Sequence, residues 1–159
     1  TQNVDLVHLA ATVAEEFWAT EETRRRLDLR IAESGVVDCQ GDLDSIAIAL
    51  RNLVENALRY SGDGRVEIEV AAPCTLVVRD EGSGVPAATL ETLRHRHVRR
   101  TPDAAGYGLG LSIVGTIVEK HGATLSLSSP LPGRAHGFEA RLALRQAQPR
   151  AAEAAISSA

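Results

Sequence analysis

Apolar residues from Val4 to about Trp18 recur at helical spacing, at Leu6, Leu9, Val13 and Phe17, and predict an amphipathic opening helix. Leu27-Asp28-Leu29-Arg30-Ile31 alternates strictly, the period of a half-buried strand, and a turn-rich stretch follows through Ser34-Gly35 and Gly41-Asp42. The next helix starts at a cap supplied by Asp42 or Asp44, and carries Leu43, Ile46, Ala47, Leu50, Leu53, Val54, Ala57 and Leu58 on one apolar face. It ends near Tyr60, before Ser61-Gly62-Asp63-Gly64. Residues 66–70 and 75–79 read as two strands with a hairpin-length connection, so that Asp80 stands at a strand end. A short helix is expected from about Ala88 to Arg94. After it, His95 to Ala105 is basic, small and without apolar period, the pattern of a mobile loop. Leu109 to Lys120 is strongly amphipathic and stops at His121-Gly122, and Thr124–Ser128 with Gly137–Leu144 forms an antiparallel pair.

These elements add up to an α+β fold, a two-layer α/β sandwich with a mixed, mostly antiparallel sheet and helices on one face. We find no internal repeat or linker. One domain is expected over residues 1–145, with a disordered tail over 146–159, where Ala, Gln and Ser dominate.

Composition narrows the possible partners. At 159 residues the chain can bury about 70% of its unfolded surface. A net charge of -4 and an aromatic content of 3% supply neither a basic patch nor stacking surfaces, which argues against nucleic acid. No apolar run reaches the roughly 20 residues that cross a bilayer, and the start has no signal-peptide pattern. Cys39 and Cys74 lack CxxC spacing, which argues against a metal site or a disulfide framework and for a reducing setting. The chain contains no methionine. Thr1 is therefore expected to lie inside a longer polypeptide, unless an initiator was removed.

Three stretches carry the chemistry. On the long helix Asn52, Asn56 and Arg59 follow one another at i, i+4 and i+7, so two carboxamides and a guanidinium face one way. Mid-helix asparagines are unfavourable without a purpose, and a carboxamide oxygen beside phosphate oxygens suits Mg²⁺. Asp80 heads Asp80-Glu81-Gly82-Ser83-Gly84, where a carboxylate can accept from an exocyclic amine such as that of adenine and the glycines let the backbone turn closely. Gly106, Gly108 and Gly110 open the last helix, where free amides and the helix dipole favour phosphate. The wording fits neither a Walker P-loop nor a dinucleotide GxGxxG, because Leu111 fills the final position. Each stretch alone also reads blandly, as a solvated helix face, a surface turn and a hinge. In this order and spacing they describe one ATP pocket.

With these motifs in place, the sequence resembles the catalytic and ATP-binding domain of bacterial sensor histidine kinases, within the superfamily of gyrase B, Hsp90 and MutL. The resemblance runs from Val4-Asp5-Leu6 to about Leu144. Asn52 to Tyr60 matches the N box, Asp80 to Gly84 the G1 box, and Gly106 to Val114 the G2 box. The resemblance implies the Bergerat ATP fold, with ATP and Mg²⁺ as cofactors. It implies Asn56 as the magnesium ligand with Asn52 its neighbour, Arg59 toward phosphate, Tyr60 over adenine or ribose, and Asp80 on the adenine amino group beside Gly82 and Gly84. It implies Arg99 as the basic residue after the F box, and the run Gly106, Tyr107, Gly108, Leu109, Gly110 and Leu111 as the cofactor-binding lid. His97 departs from the pattern, standing where the F box carries phenylalanine.

The resemblance further implies a protein-histidine kinase whose dimerisation domain, bearing the phospho-accepting histidine, is absent from this chain; His8-Leu9-Ala10-Ala11-Thr12 does not fit that motif. A response regulator would be the final acceptor. The fragment is expected to be monomeric and unable to phosphorylate itself, and the full protein to be a homodimeric inner-membrane sensor with this domain in the cytoplasm. The alternatives are a water-activating ATPase, which needs a glutamate at the position of Asn52, and a degenerate nucleotide-binding interaction module.

Overall fold

The computed structural model describes residues 2–32, 37–99 and 108–147, and of 95–99 and 108–110 it describes the backbone. In chain order the elements are β1 (Gln2–Asp5), α1 (Leu6–Phe17), α2 (Glu21–Arg26), β2 (Leu27–Ile31), β3 (Asp38–Gly41), α3 (Leu43–Tyr60), β4 (Val66–Ala71), β5 (Thr75–Asp80), α4 (Ala87–Arg99), α5 (Gly108–His121), β6 (Thr124–Ser128), β7 (Phe138–Ala143) and β8 (Arg145–Gln146).

A five-stranded sheet of order β2-β4-β5-β7-β6 forms one layer. Its β2–β4 pair is parallel and the other pairs are antiparallel, the expected mixed, mostly antiparallel sheet. The period of two sends Val66, Ile68 and Val70 of β4, Leu76 and Val78 of β5, and Ala140 and Leu142 of β7 to one face. All of these are buried. Against them pack Leu6, Leu9 and Val13 of α1, Ile46, Leu50, Leu53 and Val54 of α3, Leu90 and Leu93 of α4, and Leu111 and Val114 of α5. The opposite face carries charge instead. There the Arg79 guanidinium reaches Glu139 at 2.7 Å, Glu69 at 2.6 Å and Glu67 at 3.1 Å.

Local chemistry sets the helix ends. Asp5 caps α1 by accepting from the Val7 and His8 amides at 3.0 and 3.2 Å. Asp42 caps α3 through the Ser45 amide at 3.0 Å, and its own amide donates to Nε2 of His121 at 3.0 Å, tying the start of α3 to the end of α5.

The structure departs from the sequence expectations in several places. The expected single sheet is accompanied by a second of three strands, β1-β3-β8, in which β3 pairs antiparallel on both sides. Val4 and Asp5 thus belong to a strand rather than the opening helix, and residues 38–41, expected as turn, are a strand. Gln146, expected in the tail, pairs with Cys39. Helix α2 has no buried residue, and its Glu-Glu-Thr-Arg-Arg-Arg order places acid in the first turn and base in the last, complementing the helix dipole. Helix α4 runs on through residues 95–99, part of the expected loop, because neither Gly nor Pro interrupts it before Pro102. Residues 100–107 of that loop lie outside the described residues. Leu43, assigned to the apolar face of α3, is 40% exposed.

Candidate nucleotide site

The parity of β5 decides the site. Asp80 shares the inner face of Leu76 and Val78, so the strand delivers a carboxylate into the helix-facing core, where it is 5% exposed. Its Oδ1 accepts from the Gly82 amide at 2.9 Å. Burial, only partly opposed by that hydrogen bond, pushes the Asp80 carboxyl above the usual range.

Across from it lies the second half of α3. Asn56 is half-buried, and its Nδ2 atom is fully enclosed with no hydrogen-bond partner among the described residues. Native structures leave few such atoms unmet, which marks this carboxamide as a candidate ligand contact. Its oxygen and nitrogen share one fork, and a half-turn exchanges them. Between Asn56 and Asp80 lies a pocket lined also by Leu53, Tyr60, Val85, Leu111 and Phe138. Two polar groups set against apolar walls suit a flat heteroaromatic ring with a hydrogen-bonding edge.

The glycines fix the near wall. A Cβ on Gly82 would come within 2.7 Å of the Ser61 Cα, at the end of α3. Gly84 adopts φ +83°, and a Cβ there would meet Ser129 Oγ at 2.7 Å and the Gly137 carbonyl at 2.9 Å. The Ser129 hydroxyl donates to that carbonyl at 2.7 Å and accepts from the Val85 amide at 2.9 Å, so the turn is held to the β6–β7 connection.

Of the residues expected at the site, Asn56, Tyr60, Asp80, Gly84 and Leu111 line the pocket. Gly82 shapes it through Asp80. Asn52 instead donates its Nδ2 to the Ile48 carbonyl at 2.8 Å, and Arg59 is exposed with its guanidinium 5.9 Å from the Tyr60 ring centre. Gly108, Leu109 and Gly110 form the first turn of α5. Arg99 ends α4. Gly106 and Tyr107 lie outside the described residues, as do the side chains of Arg99 and Leu109.

Sequence reasoning missed Arg26. Its guanidinium donates to the Leu58 carbonyl at 3.0 Å, Ser61 Oγ at 2.9 Å and the Gly64 carbonyl at 3.1 Å, and so pins the end of α3 that carries Tyr60. It missed Phe138 and Val78 as well, although the alternation of β5 and β7 sets both on the face of Asp80.

This arrangement, a buried carboxylate and an unmet carboxamide across an apolar slot between sheet and helices, defines a nucleotide-binding α+β domain. The chain belongs to the family of histidine kinase-, DNA gyrase B- and HSP90-like ATPases, whose model matches residues 41–148. It is 38% identical over 119 residues to the signal transduction histidine-protein kinase/phosphatase MprB of Mycobacterium sp. (strain KMS), a match covering 69% of this chain and 23% of that protein. It is 33% identical over 124 residues to the sensor protein BasS of Escherichia coli (strain K12), covering 76% of this chain and 34% of that one. The chain thus spans 23% and 34% of the length of these relatives. Among solved structures, a mycobacterial sensor histidine kinase MprB superposes with a TM-score of 0.70 at 24% identity, covering 92% of this chain and 100% of that one. The catalytic domain of histidine kinase ThkA gives a TM-score of 0.71 at 23% identity over 91% of this chain and 95% of that one. The fold is therefore that of histidine kinase catalytic domains, and the relatives are sensor histidine kinases.

Proposed function

We propose that this domain binds Mg-ATP in the Asn56–Asp80 pocket and, within a longer protein, donates the γ-phosphoryl group to a histidine on a separate dimerisation domain, for relay to a response regulator. The observation that carries the reading is the enclosed, unpartnered carboxamide atom of Asn56 facing a pocket whose other polar wall is Asp80. Asp80 accepts from the adenine amino group, and Tyr60 lies against the base or ribose. The Asn56 carboxamide oxygen would hold a magnesium ion. When bound, that ion would supply charge neutralisation for the phosphates.

The chain's own residues do the positioning. Asn52 stands one turn before Asn56 on α3, and Arg59 and Arg99, near the ends of α3 and α4, are the cations assigned to the phosphates in this reading. The stretch Gly106, Tyr107, Gly108, Leu109, Gly110 and Leu111 is the one this reading assigns to the phosphate tail, and residues 108–111, the first turn of α5, would offer their free amides to it. Transfer proceeds in line from ATP to a histidine nitrogen, and positioning supplies most of the acceleration. Asn52 stands where a water-activating ATPase needs a glutamate, and a carboxamide is no base; that favours phosphoryl transfer over hydrolysis. The domain alone is monomeric and its acceptor is supplied by the homodimeric whole, a membrane sensor with this part in the cytoplasm. Among solved structures, the cytoplasmic segment of histidine kinase QseC superposes with a TM-score of 0.63. No helix among the described residues is long and apolar enough to cross a membrane.

Calorimetric titration of ATP with and without Mg²⁺ tests the reading. Magnesium-dependent binding that folded Asn56→Ala and Asp80→Ala variants both lose is expected; a folded parent that binds no ATP would overturn it.

A further inference from the structure

A second chemically reactive feature lies away from the nucleotide pocket. Cys39, in β3, and Cys74, in the turn between β4 and β5, are far apart in the chain yet buried together, at 0% and 2% exposure. The Cys74 thiol donates to the Asp38 carbonyl at 3.1 Å, one peptide unit from Cys39, which sets the two buried thiols side by side in the core. Both are free. Cys74 is also the non-glycine residue that the described chain holds at positive φ, +40°, a conformation left as a rule to Gly or Asn. A strained backbone position has thus been given a side chain whose sulfur lies against the peptide that precedes a second cysteine.

We propose that Cys39 and Cys74 form an oxidisable dithiol site, which a peroxide converts to an intramolecular disulfide tying β3 to the β4–β5 turn. One thiolate attacks the peroxide: an S–O bond forms, the O–O bond breaks, and the first water leaves. The second sulfur attacks the resulting sulfenic acid, the S–S bond forms, and the hydroxyl departs with a proton as the second water. The two sulfurs lose two electrons and two protons, and hydrogen peroxide takes up both.

The closed pair is held inactive. Burial, the Cys74 thiol and the Asp38 and Asp5 carboxylates push the Cys39 thiol far above its ordinary range, which keeps it protonated. The cover is the segment around β8. The Leu144 amide donates to the Cys74 carbonyl at 2.9 Å, the Ala147 amide donates to the Asp38 carbonyl at 3.2 Å, and Gln146 pairs with Cys39. Lifting this two-residue strand would break its pairing with β3 at Cys39 and open a route to the buried sulfurs. Oxidation therefore follows a local opening, and the disulfide formed stays beneath the strand when it closes.

The test treats the folded chain with graded hydrogen peroxide, blocks remaining thiols by alkylation, and maps peptides by mass spectrometry without reduction. The expected result is a monomer lighter by two hydrogens and closed to alkylation, with the Cys39 and Cys74 peptides joined until reduced and a raised melting temperature. Cys39→Ala and Cys74→Ala chains, each with one sulfur left, should give no internal cross-link. The proposal is overturned if the two sulfurs are oxidised separately to sulfinic acids, if they join only between chains, or if the folded chain stays reduced while the urea-unfolded chain cross-links.

Discussion

Gly82 and Ser61 touch backbone to backbone: a Cβ on Gly82 would sit 2.7 Å from the Ser61 Cα and 3.0 Å from Asp80 Oδ1. The end of α3 and the turn after β5 are thereby held together between two pocket residues, Tyr60 and Asp80, that precede them in the chain. Gly82→Ala forces them apart and disturbs the amide that holds Asp80. Calorimetry on the folded variant should find ATP affinity lowered by at least about 10-fold, the scale of one charge-assisted hydrogen bond.

Arg26 fixes the same helix end from the other side. Arg26→Ala deletes its hydrogen bonds to Leu58, Ser61 and Gly64 and leaves the two carbonyls short of a donor. Urea unfolding should show a loss of about 2–3 kcal/mol. ATP affinity should fall in parallel, because Tyr60 loses its support.

Asp80 places a cost on the empty domain. Its carboxyl is held above the usual range by burial, so the folded chain keeps the proton to higher pH than the unfolded chain does. Its stabilising contribution is complete below the unfolded value and is lost as pH rises through the folded one. Asp80→Asn should therefore melt above the parent at neutral pH, with the gap closing as pH falls toward the carboxylate range. The same variant should lose ATP binding. With its single oxygen kept on the Gly82 amide, asparagine sets an amino group against that of adenine.

Asn56 should dissociate stability from affinity in the same manner. Its enclosed amide atom is unmet, and such an atom costs about 1–3 kcal/mol. Asn56→Leu, which fills the space with apolar surface, should leave the melting temperature unchanged or raised while abolishing the magnesium dependence of ATP binding.

Glu16 and Arg51 join α1 to α3 through paired contacts of 2.7 and 2.9 Å. The hydrogen bond to Arg51 holds the Glu16 carboxyl below its usual range. The contribution is thus present above the unfolded carboxylate value and lost as pH falls through the folded one. Both side chains are well exposed, so Glu16→Gln should cost less than about 1 kcal/mol in thermal melts, and less again in high salt.

The long periodic elements were legible in the sequence. Helix α3 and strands β4 and β5 stand within a residue of their expected bounds, because each carries its own period and its own cap or turn. Strands β1, β3 and β8 were not legible. They are two to four residues long, and each exists only because another lies beside it. At the pocket, the chemistry-bearing Asn56, Tyr60 and Asp80 could be named from motif and spacing. Arg26 could not, since its partners Leu58, Ser61 and Gly64 are distant in sequence. The pairing of Cys39 with Cys74 was hidden for the same reason, and spacing argued against it.

In the small sheet, β1 and β8 flank the same strand, β3. Both pair antiparallel with β3 and so run parallel to each other, with Gln2 opposite Gly41 and Gln146 opposite Cys39, so the two ends of the described chain leave the patch toward opposite ends of β3. A tension transmitted along the polypeptide enters and leaves through this three-stranded patch. Such a pull would load the hydrogen bonds of β3 to β1 and β8 along the strands, in shear, within a sheet separate from the one that carries Asp80.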